Sequence, residues 1–285
     1  MVQKFKAART APARIHANAE EPSQWNSAMA SQETLHHDPT IDPAQVDRFD
    51  RLGAQWWDPH GPMRALHKFN PVRVAYLREL LGRHFSLGGN PRDWRAPVPL
   101  QGLSILDIGC GAGILSEPLA RLGAFMTSID PARHNIEIAK DHAAKANLAI
   151  DYRCISAEKL AAGGAVFDAV LAMEVIEHVR DIARFLDQAA KMVRPGGMFV
   201  AATLNRTLKS FAFAIVGAEY VLHWVPRGTH NWNHFVTPQE LASGLRAAGL
   251  SIKHEIGVTY NPLTSNWQLS HDMGINYMMA AVRPE

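Results

Sequence analysis

Apolar and polar positions divide the chain into three stretches. Residues 1–42 are polar and without period, with Pro39 near their end, which predicts a disordered or weakly ordered N-terminal extension. From Pro43 to about Phe85 the apolar residues recur at helical spacing. Phe49, Leu52 and Trp56 share one face, and Val74, Leu77, Leu80 and Leu81 another. Residues 86–101, rich in proline, glycine and asparagine, read as a loop. The pattern then changes to short apolar runs separated by amphipathic segments. The runs 103–109, 124–130, 150–156, 167–173, 198–204, 251–260 and 275–282 predict strands, and 112–123, 131–146, 181–193 and 237–249 predict helices. The third helix is expected to stop at the RPGG sequence, 194–197. Such alternation implies an α/β domain over residues 43–285, with a doubly wound, mostly parallel seven-stranded sheet and residues 43–85 as an N-terminal helical cap.

An apolar insert, residues 205–236, separates the fifth strand from the helix that starts at Thr237, where a few residues would suffice. It holds Phe211, Phe213, Ile215, Leu222 and Trp224, flanked by Arg206, Lys209 and Arg227. Apolar bulk with basic ends suits contact between residues 205–227 and an anionic membrane surface. A lid over the site and a dimer contact are the alternatives. The apolar run 211–225 is shorter than the ~18 residues of a membrane span and contains Glu219.

Composition narrows the partners. Of 285 residues, 47% are hydrophobic, enough for a sizeable core, and a net charge of +2 gives no reason to expect nucleic acid. Two cysteines, Cys110 and Cys154, make no disulfide or metal pattern and suit a reducing, cytoplasmic compartment. Lys4, Lys6, Arg9 and Arg14 precede any acid, as in an organelle transit peptide, which would place the protein on the matrix face of the mitochondrial inner membrane. A basic tail, or translation from Met29, explains the same residues.

The first strand runs into LDIGCGAG, with Asp107, Gly109, Gly111 and Gly113. Glycines there make a tight turn and bare the backbone to a ligand. A dinucleotide fold would want its third glycine at Ile114. The G-x-G-x-G spacing is instead that of S-adenosylmethionine-dependent methyltransferases. Asp130, ending the second strand, is placed to accept both ribose hydroxyls. Asp107 either faces the ligand or holds the loop.

The segments FDRLGAQWWDPHGPMRALHKFNPVRVAYL (49–77), LDIGCGAGILSEPLARLGA (106–124), MEVIEHV (173–179), ATLNR (202–206), VGAEYVLHWVPRGTH (216–230) and YNPLT (260–264) together resemble the ubiquinone biosynthesis O-methyltransferases, a class I methyltransferase family with a Rossmann-like fold. The likeness runs from about residue 45 to 285. It implies O-methylation of phenolic hydroxyls on polyprenylated catechol and demethylubiquinol intermediates. It also implies S-adenosylmethionine contacts at Arg73, Gly109, Asp130 and Met173. The insert makes the expected habit peripheral to a membrane, and other quinone-biosynthesis proteins are expected partners. Another quinone or small-phenol methyltransferase, and a non-catalytic S-adenosylmethionine-binding adaptor, are the alternative functions.

Glu174, Glu177 and His178 directly follow the fourth strand, at the sheet end where ligands bind in open α/β folds. On a helix their i, i+3, i+4 spacing would put them on one face. A phenol, with a pKa near 10, must lose its proton to accept a methyl group. Two carboxylates and an imidazole can assist by holding a divalent cation, Mg2+, Mn2+ or Zn2+, against the hydroxyl. His178 as a metal-free base and a purely structural helix start remain open beside that. His230 is a candidate extra ligand or base.

Overall fold

The run 103–109 alternates apolar residues on both sides, so neither side tolerates water. It forms β1 (Ser104–Ile108) in the sheet interior. A separate two-residue hairpin pairs Ser86–Leu87 with Asn90–Pro91, and the other strands of this sheet are β2 (Phe125–Asp130), β3 (Asp151–Cys154), β4 (Phe167–Met173), β5 (Val193–Leu204), β6 (Ser251–Asn261), β7 (Asn266–Ser270) and β8 (Asn276–Val282). In this computed structural model, which describes residues 38–211, 232–261 and 266–285, they pair in the order β3-β2-β1-β4-β5-β8-β6-β7. Strands β1 to β5 run parallel, and β8, β6 and β7 extend the sheet antiparallel. The order reverses at β1, so the crevice beyond the ends of β1 and β4 is the expected ligand seat.

The sheet has eight strands where the apolar runs gave seven. The extra one, β7, is a mostly exposed edge strand, NWQLS, with no apolar run to betray it. The RPGG sequence, expected between a helix and a strand, lies within the bounds of β5.

Helices α1 (Pro43–Asp50) and α2 (Arg64–His84), joined through a 3-10 turn at Gly53–Trp57, make the cap. Asp42 caps α1, its carboxylate accepting from the Ala44 amide at 3.1 Å, and Pro43 starts the helix where a missing N–H costs nothing. Then come α3 (Ser116–Arg121), α4 (Arg133–Lys145), α5 (Ala157–Ala162), α6 (Ile182–Lys191) and α7 (Pro238–Ala247). Helix α3 starts four residues later than expected, because residues 109–113 are spent on a loop with three glycines at positive φ.

Alternation along the strands divides the core. Leu106, Ile108, Val170, Ala172, Phe199 and Ala201 pack with α5, α6 and α7. Ile105, Ala169, Leu171, Val200 and Ala202 face Leu77 and Leu81 of α2 and Leu119 of α3. The ordered chain also reaches further back than the cap boundary at Pro43. Thr40 is buried, donates to Glu158, and accepts from the Arg180 amide at 2.9 Å. Among the described residues no helix is long and apolar enough to cross a membrane.

Candidate functional site

A cavity of about 460 Å3 lies beyond the carboxyl ends of β1, β2 and β4, roofed by the cap. Gly109, Gly111, Asp107, Asp130, Arg73, Met173, Glu174, Glu177 and His178 all line it. Gly113 is absent from that wall. Its φ is +87°, and a Cβ would fall 2.2 Å from the Tyr152 hydroxyl, so this glycine lets the loop lie on β3. At Gly111 a Cβ would strike the ring of Trp56 at 2.6 Å, so the cap sits directly on the loop.

The loop amides are already engaged. Gly109 and Cys110 donate to the Ile129 carbonyl at 2.8 and 3.0 Å. Asp130 accepts from the Gly111 amide at 2.9 Å and from the Ala132 amide at 2.8 Å, tying the loop to the start of α4. Each carboxylate oxygen keeps a second lone pair. Burial pushes the Asp130 pKa up to about 6 against the pull of those amides. Asp107 is buried behind the loop and accepts the Ser116 hydroxyl at 2.6 Å; burial pushes its pKa up to about 7. It therefore both pins α3 and faces the cavity.

Helix α2 presents Phe69, Asn70 and Arg73 to the cavity. Arg73 is 2% exposed, and its guanidinium lies 4.0 Å above the Phe69 ring centroid. Its Nη2 is 2.8 Å from Glu174 Oε1, a charge contact off the hydrogen-bonding direction. The buried Nε has no partner. Burial lowers the Arg73 pKa, and the charge of Glu174 opposes that. Asn70 donates to the Ile114 carbonyl at 2.8 Å, leaving its own oxygen buried without a partner. Asn276 donates to Glu174 Oε1 at 3.1 Å, and its oxygen is also unpartnered. Buried, unsatisfied donors and acceptors around one cavity fit a polar, charged small molecule. An α-amino-acid end against Arg73 and a ribose against Asp130 match S-adenosylmethionine.

The Glu174–His178 segment is not the regular helix that its spacing suggested. Glu174 has φ 59°, a left-handed conformation rare for a side chain of this size, and only Ile176–His178 forms a 3-10 turn. The three side chains consequently have separate partners. Glu174 is held by Arg73 and Asn276. Glu177, 4% exposed, accepts the Thr203 hydroxyl at 2.7 Å. His178 stands edge-on to Phe49 with centroids 5.1 Å apart. Among the described residues no group of three His, Cys, Asp or Glu can hold a metal ion. The expected divalent cation finds no support in this arrangement, in which Glu174 is engaged by Arg73 and Asn276 and Glu177 by Thr203. Burial, reinforced by the Glu174 charge, pushes the Glu177 pKa up to about 8.

The tryptophans of the WWD segment fasten cap to loop. Trp56 donates to Asn135 at 2.8 Å and Trp57 to the Ala112 carbonyl at 3.0 Å. The Trp57 ring stacks on His142 at 3.5 Å, and His142 contacts the fully buried Glu117 at 2.5 Å.

Only the margins of the insert are described. Arg206 pairs with Glu240 and Lys209 with Asp272, so these two cations are engaged within the chain. Leu208 is 82% and Phe211 42% exposed. Residues 212–231, with Trp224, Arg227 and His230, lie outside the described residues.

A methyltransferase-domain family model matches residues 75–255. The chain is 62% identical over 242 residues to a ubiquinone biosynthesis O-methyltransferase of Methylocella silvestris, covering 85% of this chain and 94% of the relative. It is 55% identical over 244 residues to that of Parvibaculum lavamentivorans, covering 86% and 94%. Among solved structures, magnesium protoporphyrin IX methyltransferase from Synechocystis PCC 6803 with bound SAH aligns with TM-score 0.54 at 18% identity, covering 92% of this chain and 97% of that one. A possible histamine N-methyltransferase from Thermotoga maritima aligns with TM-score 0.53 at 20% identity, covering 84% and 99%. Both likenesses concern the fold.

Proposed function

The chain belongs to the ubiquinone biosynthesis O-methyltransferases, and from that membership we propose how its cavity works. The enzyme transfers the methyl group of S-adenosylmethionine to a phenolic hydroxyl in ubiquinone biosynthesis. The acceptors are polyprenylated catechol and demethylubiquinol intermediates. Arg73 clamps the carboxylate of the methyl donor, Asp130 accepts its ribose hydroxyls, and Gly109, Gly111 and Met173 shape the wall around it.

The observation that carries the chemistry is the place of Glu177, a buried carboxyl that lines the same cavity and accepts the Thr203 hydroxyl; burial pushes its pKa up to about 8. As the oxygen attacks, the O–CH3 bond forms, the S–CH3 bond breaks, and the phenolic proton passes to the Glu177 carboxylate. S-adenosylhomocysteine leaves. Because the base is about two pH units more acidic than a free phenol, proton transfer is uphill by about 3 kcal/mol and must accompany methyl transfer. Glu174 keeps the Arg73 charge nearby, and His178 borders the acceptor side. Incubation with labelled S-adenosylmethionine and a short-tailed catechol should place the label on the catechol oxygen. Label recovered only in unreacted donor would refute the reading.

A membrane surface is the natural source of a polyprenylated acceptor. Leu208 and Phe211, exposed where the insert leaves the fold, support its docking on lipid. With Arg206 and Lys209 engaged in ion pairs, apolar insertion carries more of that contact than basic charge does.

A further inference from the structure

We propose that Asn70 reads the ammonium group of the methyl donor, and that Asn70 and Arg73 together form a receptor for its zwitterionic end. The inference rests on the cofactor seat proposed above and adds a recognition element to it. Asn70 is 7% exposed and lines the cavity. Its amide orientation is fixed by chemistry: the group 2.8 Å from the Ile114 carbonyl must be the NH2, since a carbonyl only accepts. The other end is therefore an oxygen, buried and without a partner. A buried acceptor left empty costs stability unless a ligand fills it.

Its position selects the ligand group. Asn70 and Arg73 are three residues apart on α2, so both project from one face, and both line the same cavity. Arg73 offers a buried Nε–H without a partner beside the Nη2 that faces Glu174, and a guanidinium edge of this kind suits a carboxylate. Asn70 offers a lone acceptor, which suits N–H donors. In an α-amino acid the carboxylate and ammonium share one carbon, and a donor and an acceptor side by side on a helix match that pair. Pro71, between them, has no N–H and a fixed φ, which limits the rearrangements open to this turn.

The test uses ligands as well as variants. The wild-type protein is titrated calorimetrically with S-adenosylhomocysteine, its desamino analogue and methylthioadenosine, which lacks the whole amino-acid end. A hydrogen bond to a charged group predicts that the desamino analogue binds the wild type about 10- to 100-fold more weakly than S-adenosylhomocysteine. Asn70→Leu should lose that same factor for S-adenosylhomocysteine while leaving the desamino analogue and methylthioadenosine within about 2-fold, a discrimination that a general loosening of the loop would not give. Asn70→Asp, which keeps an acceptor, should restore the preference for the amino group. Equal affinity of the wild type for the amino and desamino ligands would overturn the inference without any variant having to fold. So would an equal loss for all three ligands in Asn70→Leu. If the wild type binds neither S-adenosylhomocysteine nor methylthioadenosine, the cofactor seat itself fails and takes this inference with it.

Discussion

Replacing Glu177 by glutamine tests the proposed base through stability as well as rate. In the folded protein burial raises the Glu177 pKa from 4.5 to about 8. A carboxyl raised in this way contributes stability that is fully present below pH 4.5 and is lost as pH climbs through 8, because the folded state holds a proton that the unfolded chain has released. At about 1.4 kcal/mol per pH unit, the rise predicts a loss of about 5 kcal/mol between those limits. Glutamine keeps the shape and the acceptor for Thr203 but does not titrate. Asp107 and Asp130, pushed up to about 7 and about 6, titrate in an overlapping range, but they are common to both proteins. The difference between wild-type and Glu177→Gln denaturation free energies, measured from pH 5 to pH 9, therefore isolates Glu177. It should shift in favour of the variant as pH rises and level off above about 8. Turnover of a short-tailed catechol should rise with pH in the wild type, with its midpoint near 8. In the variant it should fall about 100- to 10,000-fold and lose that inflection. Parallel stability curves, with the wild-type rate flat from pH 6 to 9, would mean that Glu177 is ionised throughout and that the base lies elsewhere.

Asp130→Ala removes the acceptor proposed for the ribose and should weaken S-adenosylhomocysteine binding by about 1.5–3 kcal/mol; unchanged calorimetric affinity in a folded variant would take Asp130 out of the seat. With Glu177 as base, thorough chelation should leave turnover intact. Loss of turnover that Mg2+, Mn2+ or Zn2+ restores would replace the base with a cation held by Glu174, Glu177 and His178. Liposomes carrying anionic lipid should co-sediment the protein, and Leu208→Glu with Phe211→Glu should reduce that binding by about 2–4 kcal/mol while sparing a water-soluble catechol. Binding unaffected by the double substitution would assign the exposed apolar margin another role.

The parallel half of the sheet was legible because strands buried on both faces must be apolar throughout, and 103–109 and 167–173 advertise that. Strand β7 was not, since an edge strand satisfies its polar side chains in water and leaves no hydrophobic signature. In the cavity, the glycine turn and the acid ending β2 stand at spacings that chain geometry dictates, so sequence alone located them. Glu174, Glu177 and His178 all line the cavity, but their i, i+3, i+4 spacing does not describe the backbone they take. Helical spacing says nothing once a residue takes φ 59°, and that choice depends on Arg73 and Asn276, which lie 101 and 102 positions away. Thr203, which holds Glu177, and Trp57, which stacks on His142, are likewise products of packing. Asn70 was in view within the NPxR segment, but only its unpartnered oxygen distinguishes it from an ordinary buried amide.

If the methyl donor sits as proposed, the contact between Arg73 and Glu174 makes donor and acceptor binding thermodynamically dependent on each other. On that seat one guanidinium would serve both the carboxylate of Glu174 and that of the methyl donor, so a gain in one contact would be felt in the other. Donor binding draws positive charge from Glu174 and makes the acceptor side of the cavity more negative, which raises its affinity for a proton-bearing hydroxyl. Linkage requires the reverse in equal measure: an acceptor that engages Glu174 frees Arg73 for the donor and tightens its hold. Methyl transfer would end this mutual support from the acceptor side alone. S-adenosylhomocysteine keeps its carboxylate, but the methylated oxygen no longer has a proton to share.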